Sequence, residues 1–265
     1  MIYVDRGKKV PAIFDDGTVN RKETDLVIEH YKKTTKPYKN YTVYSSPEVK
    51  EALINLFKNK LQGIPQYRSA TIKRNEAACV LQLVSYEWNF DIVPCFYTVP
   101  DYLGKTYYLI PDGAGNWKKT DPRVDANNVS NLNQQHNYNI LKVIRLAKYW
   151  QKRPTMPTMS SYLLEVMVLN YFKSKGTVGS EYPDMELPYL FSYIGSAVLS
   201  SVADPKGIAS NINELSFEER MKVAERANFD ASRASAARQF ENNGDHKSCI
   251  NKWRDIFGDQ FPKYE

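Results

Sequence analysis

Cysteine and histidine are both scarce, three of each in 265 residues, and that scarcity removes two kinds of scaffold. Cys79, Cys95 and Cys249 are odd in number, scattered, and form no C-x-x-C pair. Neither a disulfide framework nor a zinc ligand set is therefore supported. A reducing, cytoplasmic setting is the expectation. No apolar run approaches the ~18 residues needed to cross a bilayer, and the opening "MIYVDRGKKV" lacks the basic-then-apolar order of a secretory signal. No membrane partner is expected. Repeats, low-complexity tracts and a linker between the two halves are also missing, so the chain reads as one unit with two lobes. Charge of one sign does not dominate: 36 basic against 30 acidic residues leave +6. That surplus suits phosphate-bearing ligands but is too mild to argue for a nucleic-acid partner, whose affinity would rest on many cationic contacts.

What is present is enough to build a core, with 42% hydrophobic residues. Nineteen tyrosines are unusual; they can stack on bases or fill the lobes. The first third mixes short strands and helices. "MIYV" reads as a strand, residues 22–35 as a helix, and Ser46-Pro47-Glu48 followed by Val49, Leu53, Leu56 and Phe57 gives a cap, a first-turn proline and an apolar stripe. That helix should end near Gly63-Ile64-Pro65. Residues 78–84, 90–96 and "KTYYLIPDGAG" read as strands of one mixed or antiparallel sheet.

After about residue 130 the pattern changes. "NLNQQHNYNILKVIRLAKYWQKR" carries Leu132, Ile140, Val143, Ile144, Ala147 and Trp150 at helical spacing, stopped by Pro154. "SSYLLEVMVLNYF" is nearly all apolar and should be a buried helix. "LPYLFSYIGSAVLSSV", the run from Leu215 to Asn242, and "DHKSCINKWRDIFG", closed by Gly258, follow as helices. A sheet-bearing lobe over 1–130 and a helical lobe over 131–265 are expected.

Three places carry chemistry. "NFDIVPCF" sets the carboxylate of Asp91 in an apolar strand, where burial without a partner costs several kcal/mol. By alternation Asp91 opposes Phe90 and Ile92, either toward a cleft or on an exposed strand face. Lys148 in "RLAKYW" and Ser161 in "MSSYLLEV" lie on consecutive helices across a proline-rich bend. An ammonium and a hydroxyl converging there suit polyphosphate oxygens. The bland alternatives are a solvated lysine and a serine, Ser160 or Ser161, that caps the second helix. Tyr162 can stack a nucleobase or pack in the core.

Together these stretches resemble one family. "NFDIVP" is similar to the strand bearing the third metal-binding aspartate of the DNA polymerase β-like nucleotidyltransferases. "VIRLAKYW" followed by "MPTMSSYLLEV" resembles the lysine helix and Ser-Tyr helix of the cyclic GMP-AMP synthase and oligoadenylate synthetase branch. "GNWKKTDP" and "INKWRDIFGDQFPKY" resemble the bacterial cGAS/DncV-like (SMODS) members of CBASS anti-phage systems. No single motif is specific; four in this order are.

The resemblance implies an α+β, bilobed polymerase β-like nucleotidyltransferase, with a mixed sheet in the first lobe and a helical bundle in the second. It implies an enzyme that joins NTPs into a cyclic or linear oligonucleotide messenger for antiviral defence, with two Mg²⁺ ions shared by several carboxylates. Asp91 would hold the ion that activates the attacking ribose hydroxyl. Lys148 and Ser161 would hold the donor triphosphate, and Tyr162 would stack its base. A regulatory protein partner is compatible with the family. The other reading is a catalytically inactive member that binds nucleotide or a partner.

In the family a Gly-Ser turn and an Asp-x-Asp strand supply the remaining metal ligands. "MIYV" resembles the apolar continuation of that strand, so the pair is expected just upstream of Met1. Asp5, Asp15 and Asp16 are the nearest substitutes, and Asp5 lies ~10 Å along the strand from its start, too far to replace the pair.

Overall fold

The computed structural model describes residues 55, 58–75, 78–85, 89–93, 95–98, 100–101, 103–112 and 117–265. The expected strand at 1–4, the helix at 22–35, Asp5, Asp15, Asp16 and the start of the helix after Ser46 lie outside them. Residues 58–62 are helical and the turn closes at Gly63, whose N–H reaches the Asn59 carbonyl at 3.2 Å. The stop expected near Gly63-Ile64-Pro65 is therefore in place. Contacts divide the chain into two units, Met1–Asp121 and Pro122–Glu265.

In the first unit the described strands form two three-stranded antiparallel sheets. One joins β1 (Thr71–Asn75), β2 (Ala78–Gln82) and β3 (Asn89–Ile92) in that order; the other joins β4 (Phe96–Tyr97), β5 (Tyr108–Pro111) and β6 (Trp117–Thr120). The single sheet expected from the apolar runs is thus two, and the run over 90–96 is not one strand. It ends as β3 at Ile92 and resumes at Phe96, with Pro94 between, a residue that has no N–H to give a ladder. In the first sheet Cys79 and Leu81 alternate inward along β2, and the register sets Cys79 against Ile92 and Leu81 against Ile72. These four buried residues make a small core.

The second unit is all helix. The sequence suggested one continuous helix from Asn131 onward, but the chain forms α1 (Pro122–Gln135) and α2 (Ile140–Gln151) with a break between them. Asn137 and Tyr138 both adopt positive φ, 53° and 63°. Such left-handed residues cannot continue a right-handed helix. The Asn133 side chain then accepts the N–H groups of Ile140 and Leu141, at 3.1 and 3.3 Å, satisfying donors that the new helix leaves open. Along α2, Ile140, Val143, Ile144, Ala147 and Trp150 form the buried stripe.

Helix α3 (Ser161–Ser174) buries residues on nearly every side, from Leu163 to Phe172, as expected of a uniformly apolar helix. α4 (Pro183–Ala197) and α5 (Phe217–Asn242) pack closely because α5 presents Ala224, Ala227, Ala231, Ala234 and Ala237 as a small-residue seam. α5 begins on a capping box, with the Ser216 hydroxyl accepting the Glu219 N–H and the Glu219 carboxylate accepting the Ser216 N–H. α6 (His246–Phe257) ends at Gly258, whose φ of 85° suits glycine. Trp150, Phe191, Phe172 and Ile256 fill the centre. There the Trp150 indole N–H donates to fully buried Asp230 at 2.7 Å, and Arg226 and Arg233 also bind that carboxylate.

Candidate functional site

Asp91 lies on β3, opposite Val80 of β2. Its neighbour Ile92 is buried in the small sheet core, so alternation turns Asp91 to the other face, where it is exposed. Along β3, Asn89, Phe90 and Asp91 are all exposed and Ile92 alone is buried. Phe90 shares the inward face by register but stays 40% exposed, because among the described residues β3 is paired on one side only. Asp91 therefore carries its charge without a burial penalty. No three His, Cys, Asp or Glu converge to hold a metal among the described residues. Asp91 by itself does not make a two-ion site, which needs several shared carboxylates.

The other three residues belong to the helical unit. Lys148 stands in the last turn of α2, where the helix dipole favours a cation. Its ammonium pairs with Glu165, one helical turn beyond Ser161 and so on the same face of α3. The C-terminal turn of α2 and the N-terminal turn of α3 are thereby brought together. Ser160 occupies the N-cap position of α3, yet its side chain makes no cap hydrogen bond. Ser161 opens the helix and is exposed. Lys148 is 37% exposed at its side chain and is held by Glu165, while Ser161 stands exposed at the start of α3, one turn before that glutamate.

Tyr162 points another way. Its hydroxyl lies 2.9 Å from Asp204 Oδ1 and 3.1 Å from Asp125 Oδ1. Lys206 Nζ stands 3.6 Å from the ring centroid, 3.3 Å from Asp125 and 3.7 Å from Asp204. Burial, the hydrogen bond to Asp204 and the charges of both carboxylates push the phenol far above the ordinary tyrosine range, so it stays protonated and donates. For Asp204 burial opposes the charge. The N–H of Lys206, the Tyr162 hydroxyl and the N–H of Ala209 outweigh it and hold its carboxyl below the usual range. Asp125 comes from α1, Tyr162 from α3, and Asp204 and Lys206 from the turn after α4.

Sequence reasoning missed Glu165, Asp125, Asp204 and Lys206. Glu165 was visible as the residue four past Ser161. "ADPKG" carried a turn signal for Asp204 and Lys206, and Gly207 takes a φ of 67° there; nothing in the sequence tied that turn to Tyr162. A separate open cleft of about 690 Å³, lined by Pro154, Met156, Lys222, Arg226 and Phe229 among others, includes none of the expected site residues.

No family model matches the chain. It is 40% identical over 213 residues, 80% of its length, to the "Probable cyclic nucleotide synthase" of Bacillus cereus, of which it covers 63%. It is 23% identical over 244 residues, 84% of its length, to the "Cyclic AMP-AMP-AMP synthase" of an Acinetobacter species, again covering 63% of that protein. The chain thus spans under two thirds of the length of these curated relatives.

Among solved structures, Escherichia coli MS115-1 CdnC with ATP matches at TM-score 0.62 and 16% identity, over 81% of this chain and 72% of CdnC. The Vibrio cholerae di-nucleotide cyclase DncV, as a D-loop deletion mutant, matches at TM-score 0.63 and 15% identity, over 83% of this chain and 60% of DncV. At such identities these two likenesses carry the fold, and the Bacillus relative carries the sequence kinship. Taken together, they give this α+β chain the fold seen in CdnC and DncV and a sequence kinship to a protein named as a probable cyclic nucleotide synthase.

Proposed function

We propose that the protein to which this chain belongs is a nucleotidyltransferase that joins NTPs into a cyclic or linear oligonucleotide messenger, acting in the cytoplasm in antiviral defence of the CBASS type. One observation carries the reading: 40% identity over 213 residues to a protein named as a cyclic nucleotide synthase. The ion pair of Lys148 with Glu165, one turn beyond Ser161 on the same helix, supports it.

In this reading the donor triphosphate lies against the N-terminal turn of α3. Lys148 neutralises phosphate charge as it exchanges Glu165 for the nucleotide, and the Ser161 hydroxyl donates a short hydrogen bond. Tyr162 stacks the base of an ATP, GTP or pyrimidine nucleotide. Asp91 is the carboxylate that this chain contributes to Mg²⁺, and the bound ions would supply charge neutralisation at the α-phosphate. The residues' own work is positioning, which in phosphoryl and nucleotidyl transfer accounts for much of the rate. A regulatory protein partner fits the same reading, since CdnC has been solved in complex with HORMA-deltaN.

The test is direct: incubate the complete protein and this chain with labelled NTPs and Mg²⁺ and follow pyrophosphate. Absence of pyrophosphate from the complete protein under every activating condition rules the enzyme out. Nucleotide binding that needs no metal and survives Asp91→Asn would then favour an inactive, nucleotide- or partner-binding member.

A further inference from the structure

We infer that Asp204, Asp125 and Lys206 are positioning residues that clamp Tyr162 by its hydroxyl and leave a single ring face to a nucleobase. The inference rests on the proposed stacking role of Tyr162 and adds what makes the ring a fixed platform.

A tyrosine that only fills a core needs one partner for its hydroxyl. Tyr162 has two carboxylates within 3.1 Å, although a phenol carries one proton and can serve only one of them at a time. The second carboxylate is balanced by Lys206, whose Nζ lies within 3.7 Å of both. Asp204 is itself immobilised: its side chain is 3% exposed and it accepts the N–H groups of Lys206, Ile208 and Ala209 at 3.1, 3.3 and 3.2 Å. The ring is thus held at its Cβ end by α3 and at its oxygen end by α1 and the 204–209 turn. Two anchors on the Cβ–Oη axis fix where the ring stands, and Lys206 against its face opposes rotation about that axis.

Lys206 does a second thing. At 3.6 Å from the centroid its ammonium makes a cation–π contact and covers one face of the ring. Tyr162 is half-buried and also packs against the helical core, so a base has at most the other face to stack on. That choice of face decides on which side of Tyr162 the sugar and phosphates leave, and a misplacement of about 1 Å at a reacting centre is costly.

Isothermal titration of the complete protein with ATP and with inorganic tripolyphosphate, which has no base, tests the clamp. Tyr162→Phe keeps the ring and removes only the hydroxyl. It and Asp204→Asn should each weaken ATP binding by about fivefold, the loss of roughly one hydrogen bond, with tripolyphosphate unchanged. Lys206→Met should weaken ATP in the same selective way. Tyr162→Ala separates the two levels of the argument: if it leaves ATP affinity at the wild-type value, the stacking role itself is wrong. If Tyr162→Ala weakens ATP but Tyr162→Phe and Asp204→Asn bind it normally, stacking stands and the clamp is overturned. Equal loss of ATP and tripolyphosphate in the Phe and Asn variants would also overturn it, by showing general damage to the unit. A selective loss in Tyr162→Phe, the variant least able to disturb folding, upholds it.

Discussion

The two units solve different problems. In the helical unit a broad apolar core runs through α2 to α6, and the side chains assigned to nucleotide binding are braced by ion pairs and by carboxylates from other helices. In the sheet-bearing unit the first sheet closes over only Ile72, Cys79, Leu81 and Ile92, and Asp91 stands exposed on a strand paired on one side among the described residues. Dense packing therefore surrounds the side chains proposed to orient a nucleotide. The proposed role of Asp91, meeting an ion, is better served by exposure than by burial.

Breaking the core is the strongest test of this contrast. Phe191 is fully buried and its ring centroid lies 4.8 Å from that of Trp150. Phe191→Ala should cost about 3–5 kcal/mol of unfolding free energy, read as a lower denaturant midpoint for the chain. A loss below about 1 kcal/mol would mean that the helical core is not the stabilising body described. The matching test in the other unit is Asp91→Asn. Pyrophosphate release should fall by roughly 10²–10³-fold, as when a charge-stabilising group is lost. The unfolding midpoint should move by no more than about 0.5 kcal/mol, as for an exposed position. Loss of activity and stability in parallel would instead make Asp91 structural.

Acid should reach the helical unit through two carboxyls. Asp204 has been described. At Glu186, too, burial opposes the charge, but the Lys175 ammonium, the Ser180 N–H and the Tyr171 hydroxyl outweigh it, and the carboxyl is held below its ordinary value. Groups lowered by folding stabilise the native state at neutral pH. That contribution is lost as pH falls through the ordinary carboxylate range, about 4, and on through the lowered values. Midpoints recorded between pH 7 and pH 3 should decline, and Glu186→Gln should start lower and decline less. A decline of the same steepness in that variant would assign the acid sensitivity elsewhere. The smallest effect is expected at Glu165→Gln. Releasing Lys148 from its partner should tighten tripolyphosphate binding by about twofold to threefold, the scale of a partly exposed ion pair. Weaker binding would make Glu165 a residue that aims the lysine.

Much of this organisation was legible in the chain. The stripe from Ile140 to Trp150, the apolar block of α3, the helical run ending at Asn242 and the Gly258 stop all follow from spacing and turn chemistry, and each forms where expected. The part of α1 before Asn131 was missed because "PRVDANNVS" is largely polar, and only packing of α1 through residues such as Val129 and Leu132 makes it worth forming. The break at 137–138 was missed because a tyrosine rarely accepts positive φ. Lys148, Ser161 and Tyr162 were singled out by residue type and resemblance. The acids that hold Lys148 and Tyr162 in place were not, because those pairings span 17 to 42 residues in sequence and no local rule predicts them.

The left-handed pair Asn137–Tyr138 has a consequence for distance. A straight helix from residue 122 to 151 would hold Asp125 and Lys148 about 34 Å apart, at 1.5 Å of rise per residue. Because the chain doubles back there, Asp125 reaches α3 at Tyr162 and Lys148 reaches it at Glu165, positions separated by only about 4.5 Å along that helix axis. Two residues of unusual backbone thus bring side chains from two helices onto neighbouring turns of a third.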